Sequence, residues 1–215
     1  MLFYREPVPG VDVQQLLRRS LDYWLHNHVS AQGHVNAFGK MYDLYPSCGA
    51  FVINAAWDYW TISHDLEWLR REIPVLHRMA DYLQRRDVDN DGLIESYGSG
   101  NAGTLRDPDR ADIWFEMTNF GYKNAWANAH VYRAFLCLAD MLDAVPQPKG
   151  AAYYRGLAAR LRDAYVRQVR RSMKPGGHVL VATFGPEGPA KCSGLDVVRY
   201  DADSLHGEFG PRFRL

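Results

Sequence analysis

Asp112 and Glu116 bracket two large rings in the run Asp112-Ile113-Trp114-Phe115-Glu116. Carboxylates beside aromatics are what cleavage of a glycosidic bond requires. One acid protonates the departing oxygen and a second carboxylate activates water; inverting enzymes hold the two roughly 6.5–9.5 Å apart. A Glu set against Trp114 and Phe115 is partly desolvated, the condition that keeps a carboxylic acid protonated near neutrality. Downstream, Asn119, Lys123, Asn124 and Asn128 carry groups able to hydrogen-bond sugar hydroxyls. Upstream, the loop 29–47 mixes Asn36, Phe38, Lys40, Tyr42, Asp43 and Tyr45, a composition suited to lining a cleft or to an ordinary surface loop. The same Asp112 and Glu116 also suit the cap and first turn of a helix, with Trp114 in the core.

A second constellation precedes the first. Asp87-Val88-Asp89-Asn90-Asp91-Gly92 matches the opening of a calcium loop. The twelfth position, where a calcium-binding hand carries a bidentate Glu, is Gly98, and Glu95 falls earlier. A tight turn with Gly92 in the left-handed region accounts for the same residues without an ion. The histidines form no HExxH pattern, and His26 and His28 do not share a helical face. Nor does a Gly-rich phosphate loop follow a strand. No metal and no cofactor are therefore assigned.

The elements that must hold these groups are helical. Asp12 is a plausible cap for a stripe of Val13, Leu16, Leu17, Leu21, Trp24 and Leu25 that ends near His28. A second helix, about 49–63, is apolar nearly all round and so reads as an inner element. Asp65 caps a third, whose stripe runs from Leu66 to Leu83 with Glu67 and Glu72 toward its start. Pro74 lies inside it, as a kink or a new beginning. A fourth spans about 123–142, with Trp126, Ala129, Tyr132, Phe135, Leu136, Ala139 and Leu142 as its face. A fifth spans about 151–171. The run His178 to Phe184 alternates and reads as a strand or extended loop. From Lys191 onward no periodicity convinces, and no final helix is predicted. The expectation is an all-α fold of antiparallel helical hairpins over about 12–171, with an irregular segment 172–215, forming a single domain.

Composition excludes several classes. Lys plus Arg and Asp plus Glu are both 25, which gives no electrostatic footprint for nucleic acid or an anionic membrane. Hydrophobic residues make up 47%, enough for a sizeable core. No apolar run approaches the ~20 residues of a membrane span. Cys48, Cys137 and Cys192 are far apart and odd in number, so neither a disulfide framework nor a zinc knuckle is indicated. Cys137 reads as a buried small hydrophobe. No signal peptide shows, and a cytoplasmic location follows by default.

The runs DVDNDGLIE and DIWFEMTNFGYKNAWANAHVYRA, with the helical YWTISHDLEWLRREIPVLHRMADYL, resemble the six-hairpin α/α-toroid glycosidases. That superfamily includes glucoamylases, trehalases and glycogen-debranching glucosidases. The similarity covers roughly residues 12–171. DIWFE is similar to the glucoamylase segment D-L-W-E-E, where Phe115 takes the place of the general acid and Glu116 that of a substrate-binding acid. Other branches carry Trp-Trp-Asp here, and Glu116 then stands where that Asp does. The resemblance implies Glu116 as general acid with Asp112 in reserve. An α-glucoside or related carbohydrate is the substrate implied, and Trp114, Lys123, Asn124, Asn128, Tyr42 and Asp43, by their residue types, are the expected sugar contacts. Five helical patterns are too few for a closed toroid. An incomplete ring exposes inner helices and so invites a second copy or the missing C-terminal half. No catalytic base stands out among Asp196, Asp201, Asp203 and Glu208. A non-catalytic carbohydrate-binding or assembly module derived from a truncated glycosidase is the alternative.

Overall fold

The computed structural model describes residues 10–36, 46–96, 122–145, 147, 149–178, 181, 183–192, 195–211 and 213. The architecture is all-α. Helices α1 (Val13–Asn27), α2 (Pro46–Ser63), α3 (Leu66–Arg85), α4 (Ala125–Ala144), α5 (Ala151–Ser172) and α6 (Ala202–Phe209) carry it, joined by one two-residue antiparallel pairing, Lys191–Cys192 with Leu195–Asp196. The chain divides into two compact units, the first running through Tyr165 and the second from Val166 onward.

Local chemistry sets the helix ends in the first unit. The Asp12 carboxylate accepts from the Gln15 amide at 2.9 Å and starts α1. Asp65 does the same for α3 through the Trp68 amide at 2.9 Å. That bond is the main reason its carboxyl lies below the usual range, helped by Tyr59 and Arg18. Two residues, His64 at φ 52° and Asp65, link α2 to α3, so the pair forms an αα-hairpin. α2 begins at Pro46, three residues before the expected start, because a proline suits the first helical position. Pro74 neither ends nor restarts α3. It lies on the exposed face, where water can satisfy the carbonyl left without its donor.

The core is shared by α1 through α5. Trp68, Tyr154, Phe135, Leu25 and Ile53 are fully buried within it, each contributing roughly 1.5–3 kcal/mol. α2 packs against α1, α3 and α4, which makes it the inner helix that its all-round apolarity predicts, although Phe51 and Ile62 stay exposed. α3 is the amphipathic outer partner, with Leu69, Ile73, Leu76, Met79, Ala80 and Leu83 inward. Cys137 is buried, and burial pushes its thiol up to about 12.

Three expectations need correction. The inward face of α4 is Ala127, Val131, Ala134, Phe135, Leu138 and Leu142; Trp126 and Ala129 point outward, because the helix is apolar enough to be buried over more than one stripe. Of the two readings of His178 to Phe184, a strand or an extended loop, no strand forms among the described residues. Phe184 makes only an isolated bridge with Arg199. A terminal helix, α6, does exist. It buries nothing, so it has no periodic stripe. Its start is fixed by a capping box in which Asp201 and Ser204 satisfy each other's backbone amides. Within this second unit, Arg170 reaches the Phe209 carbonyl and lies over the Phe213 ring at 5.4 Å.

Candidate functional site

The acidic turn after α3 and the start of α4 form one hydrogen-bonded base. Gly92, at φ 98°, lets the chain reverse, and its amide donates to both Asp87 oxygens at 3.1 Å. Arg160 of α5 holds Asp87 at 2.8 Å and the Asn90 side chain at 2.6 Å. Past the turn, the Glu95 amide donates to the Arg86 carbonyl at 2.9 Å, and the Arg86 Nε donates to the Glu95 carbonyl at 3.0 Å. Then the Ser96 amide donates to the Tyr122 carbonyl at 2.7 Å. The chain therefore leaves at Ser96 and returns at Tyr122 to the same point. Asp112, Trp114 and Glu116 belong to the segment between, and like Tyr42 and Asp43 they lie outside the described residues.

Lys123 and Asn128 lock this stem. The Lys123 ammonium sits 2.5 Å from Asp89 and 2.6 Å from Asp91, and 3.8 Å from Glu95. Burial alone would lower its pKa, but the two aspartates outweigh that and raise it. In return, the hydrogen bond from Lys123 holds the Asp89 carboxyl below its ordinary range. Asp87, Asp89 and Asp91, whose sequence pattern matched a calcium loop, bring one oxygen each within 4.8 Å of one another. Lys123 supplies the positive charge there, and Asp87 is turned to Gly92 and Arg160. Asn128 is buried and accepts from the Ile94 amide at 2.7 Å, while donating to the Ile94 and Asn124 carbonyls at 2.9 Å each. Asn124 caps α4 by accepting from the Trp126 and Ala127 amides. In these positions the Asn128 amide group and the Asn124 side-chain oxygen serve backbone groups. Lys123 serves the turn. All three side chains thus have protein partners in this structure, as a buried amide must satisfy its neighbours.

Two features escaped the sequence reading. Glu95 is a buried carboxylate at the stem, and beside it Ser96 Oγ is buried with no hydrogen-bond partner among the described residues. An aromatic cluster also stands at the start of α4. Phe51 lies 5.2 Å from Trp126 and 4.5 Å from His130, and Trp126 lies 4.9 Å from His130. Phe51 and Trp126 are 37% and 39% exposed, enough to offer ring faces. Burial, reinforced by Arg133, lowers the pKa of His130 and favours its neutral form. No pattern could have flagged this cluster, since α2 is apolar on every side and gives no sign of which side stays open.

A cleft of about 370 Å³ opens on the other side of the turn, lined by Asp81, Asp87, Lys149 and Arg160 among others. Its charges are paired: Lys149 contacts Asp81 at 2.5 Å, and Arg160 contacts Asp87. Of the other carboxylates considered for a base, Asp201 is occupied as the cap of α6, and its bonds to Ser204 hold its carboxyl low. No helix among the described residues is long and apolar enough to cross a membrane. Comparison with models of known protein families and with curated proteins returned no match.

Proposed function

We propose that the chain is glycoside hydrolase-like, cleaving an α-glucoside or related sugar with inversion, with Glu116 as general acid and Asp112 in reserve. The observation that supports this reading is the closed stem beneath residues 97–121, tied by Ser96 to Tyr122, by Lys123 to Asp89 and Asp91, and by Asn128 to Ile94. Reactive groups on a loop work only when a rigid scaffold fixes its ends. Residues 97–121 supply the two carboxylates and Trp114. Glu116 would protonate the glycosidic oxygen as the bond breaks. Trp114 would stack on the sugar ring, with Tyr42 and Asp43 as further contacts. A cytoplasmic setting, and assembly with a second copy or with further hairpins over the exposed Phe51, Ile62 and Trp126, belong to the same proposal.

A second reading, a non-catalytic carbohydrate-binding module, draws on the Phe51, Trp126 and His130 cluster, which offers ring faces without a carboxylate. The test is hydrolysis of aryl α-glucosides and maltose by wild type, Glu116→Gln and Asp112→Asn, with the product anomer read by NMR. The enzyme reading expects the inverted anomer and a loss of about 10²–10⁴-fold in Glu116→Gln, the usual worth of a general acid. Turnover untouched by that change removes Glu116 from the role. Saturable sugar binding without turnover supports the second reading.

A further inference from the structure

The most unusual carboxylate in the first unit lies away from the stem, between α1 and α3. Glu72 is completely buried. It lies toward the start of α3 but turns inward toward α1. There Asp22 and His26, one helical turn apart on the same face, meet it. One ligand atom from each of Asp22, His26 and Glu72 lies within 4.8 Å of the other two.

Strong donors converge on one oxygen of each carboxylate. Arg71 donates from Nε to Glu72 Oε1 at 2.6 Å and from a terminal nitrogen to Asp22 Oδ1 at 2.9 Å. Trp68 adds its indole N–H to the same Asp22 Oδ1 at 2.7 Å. His26 Nε2 lies 3.2 Å from Glu72 Oε1, within hydrogen-bond reach, and 3.1 Å from Oε2, which is buried and has no other hydrogen-bond partner among the described residues. A buried carboxylate oxygen faced only by a histidine ring nitrogen calls for a cationic partner between them, either that ring's proton or a metal ion in its place. Two donors bound to one tetrahedral zinc at ordinary lengths stand about 3.3 Å apart. The Nε2 to Oε2 separation meets that spacing. Carboxylates that hold a metal through one oxygen are typically oriented by hydrogen bonds to the other, and Arg71 and Trp68 provide those here. The His26 side chain is 54% exposed, so water can reach the fourth position.

We infer that Asp22, His26 and Glu72 form a binding site for a divalent transition cation of the zinc class. Asp22 and Glu72 each give one oxygen and His26 gives Nε2. Arg71 is a positioning residue that holds the two carboxylates by their other oxygens. The site rests on α1 and α3 alone and is independent of the sugar-cleaving proposal.

The test is titration of the wild-type chain with zinc by calorimetry and with cobalt by visible absorption. One equivalent should bind, with ligand-field bands of low-coordinate cobalt and no thiolate charge-transfer band. His26→Ala should weaken binding at least tenfold (a second-shell change alone costs 10–100-fold) while the fold, followed by circular dichroism, persists. His178→Ala, an exposed histidine elsewhere, should change nothing. Asp22→Asn should weaken binding as well; should that variant not fold, the His26 arm decides alone. Absence of one-equivalent binding overturns the proposal. So does binding that His26→Ala leaves intact, or a cobalt spectrum dominated by thiolate.

Discussion

Asn128 should be the side chain on which the stem depends most. It is 1% exposed and makes three hydrogen bonds, to the Ile94 amide at 2.7 Å and to the Ile94 and Asn124 carbonyls at 2.9 Å. Ile94 is itself 3% exposed, so no water replaces the lost partner. In Asn128→Ala the Ile94 amide and carbonyl are both orphaned. A buried unsatisfied group costs about 1–3 kcal/mol, so the pair should cost about 3 kcal/mol together. For a chain of this size that lowers Tm by roughly 6–12 °C. Asn128→Asp keeps the shape and the acceptor for the Ile94 amide but sets a carboxylate against two carbonyl oxygens. It should be at least as damaging at neutral pH and partly recover as acid protonates it. Urea denaturation followed by circular dichroism, with Tm as a check, reads both. A shift below about 0.5 kcal/mol in Asn128→Ala, the range of ordinary surface changes, would refute the stem as described.

Other perturbations follow from the same geometry. Lys123→Met removes the ammonium between Asp89 and Asp91 and should cost about 1 kcal/mol at low salt, because the pairs are half open to solvent. Added salt should narrow the gap to wild type, and a gap that salt does not change would count against an electrostatic clasp. Gly33 has φ 94°, and a Cβ there would sit 2.0 Å from the Arg78 carbonyl oxygen of α3; Gly33→Ala should cost about 3 kcal/mol, with wild-type stability as the contrary result. His77 donates to or accepts from the Tyr154 hydroxyl at 2.6 Å, and burial, reinforced by Lys149 and opposed by Asp81, lowers its pKa below the usual 6.5. The unfolded chain then binds the proton first, so this contribution is full above pH 6.5 and fades as pH falls toward the folded value. Wild type should lose more stability than His77→Gln between neutral pH and mildly acid pH in urea titrations; equal losses would contradict the assignment.

Five of the six described helices were legible because local signals agree with one another. Asp12 and Asp65 cap where a stripe begins, whereas Pro46, read as part of the preceding loop, opens α2. α6 was not legible, since Asp201 and Ser204 start it while no apolar face follows. In α4 the existence of the helix could be read but not its orientation. With Val131, Ala134, Leu138 and Leu142 on one side and Tyr132 and Leu136 near another, periodicity alone leaves the rotation open. The chemistry of Asp112, Trp114 and Glu116 rests on residue types and resemblance. The stem that carries them needed geometry, because Lys123 meets Asp89 and Asn128 meets Ile94 across more than thirty residues of chain. Glu72 shows the same limit: its helix position says exposed acid, and only packing against α1 makes it buried.

The claim that residues 97–121 face carbohydrate is tested most directly by tryptophan emission. Maltose and isomaltose titrated into wild type should quench it saturably, and Trp114→Phe should abolish most of that signal while leaving the circular dichroism unchanged. A wild type that no sugar quenches, or a quench of the same size and midpoint in Trp114→Phe, would contradict it.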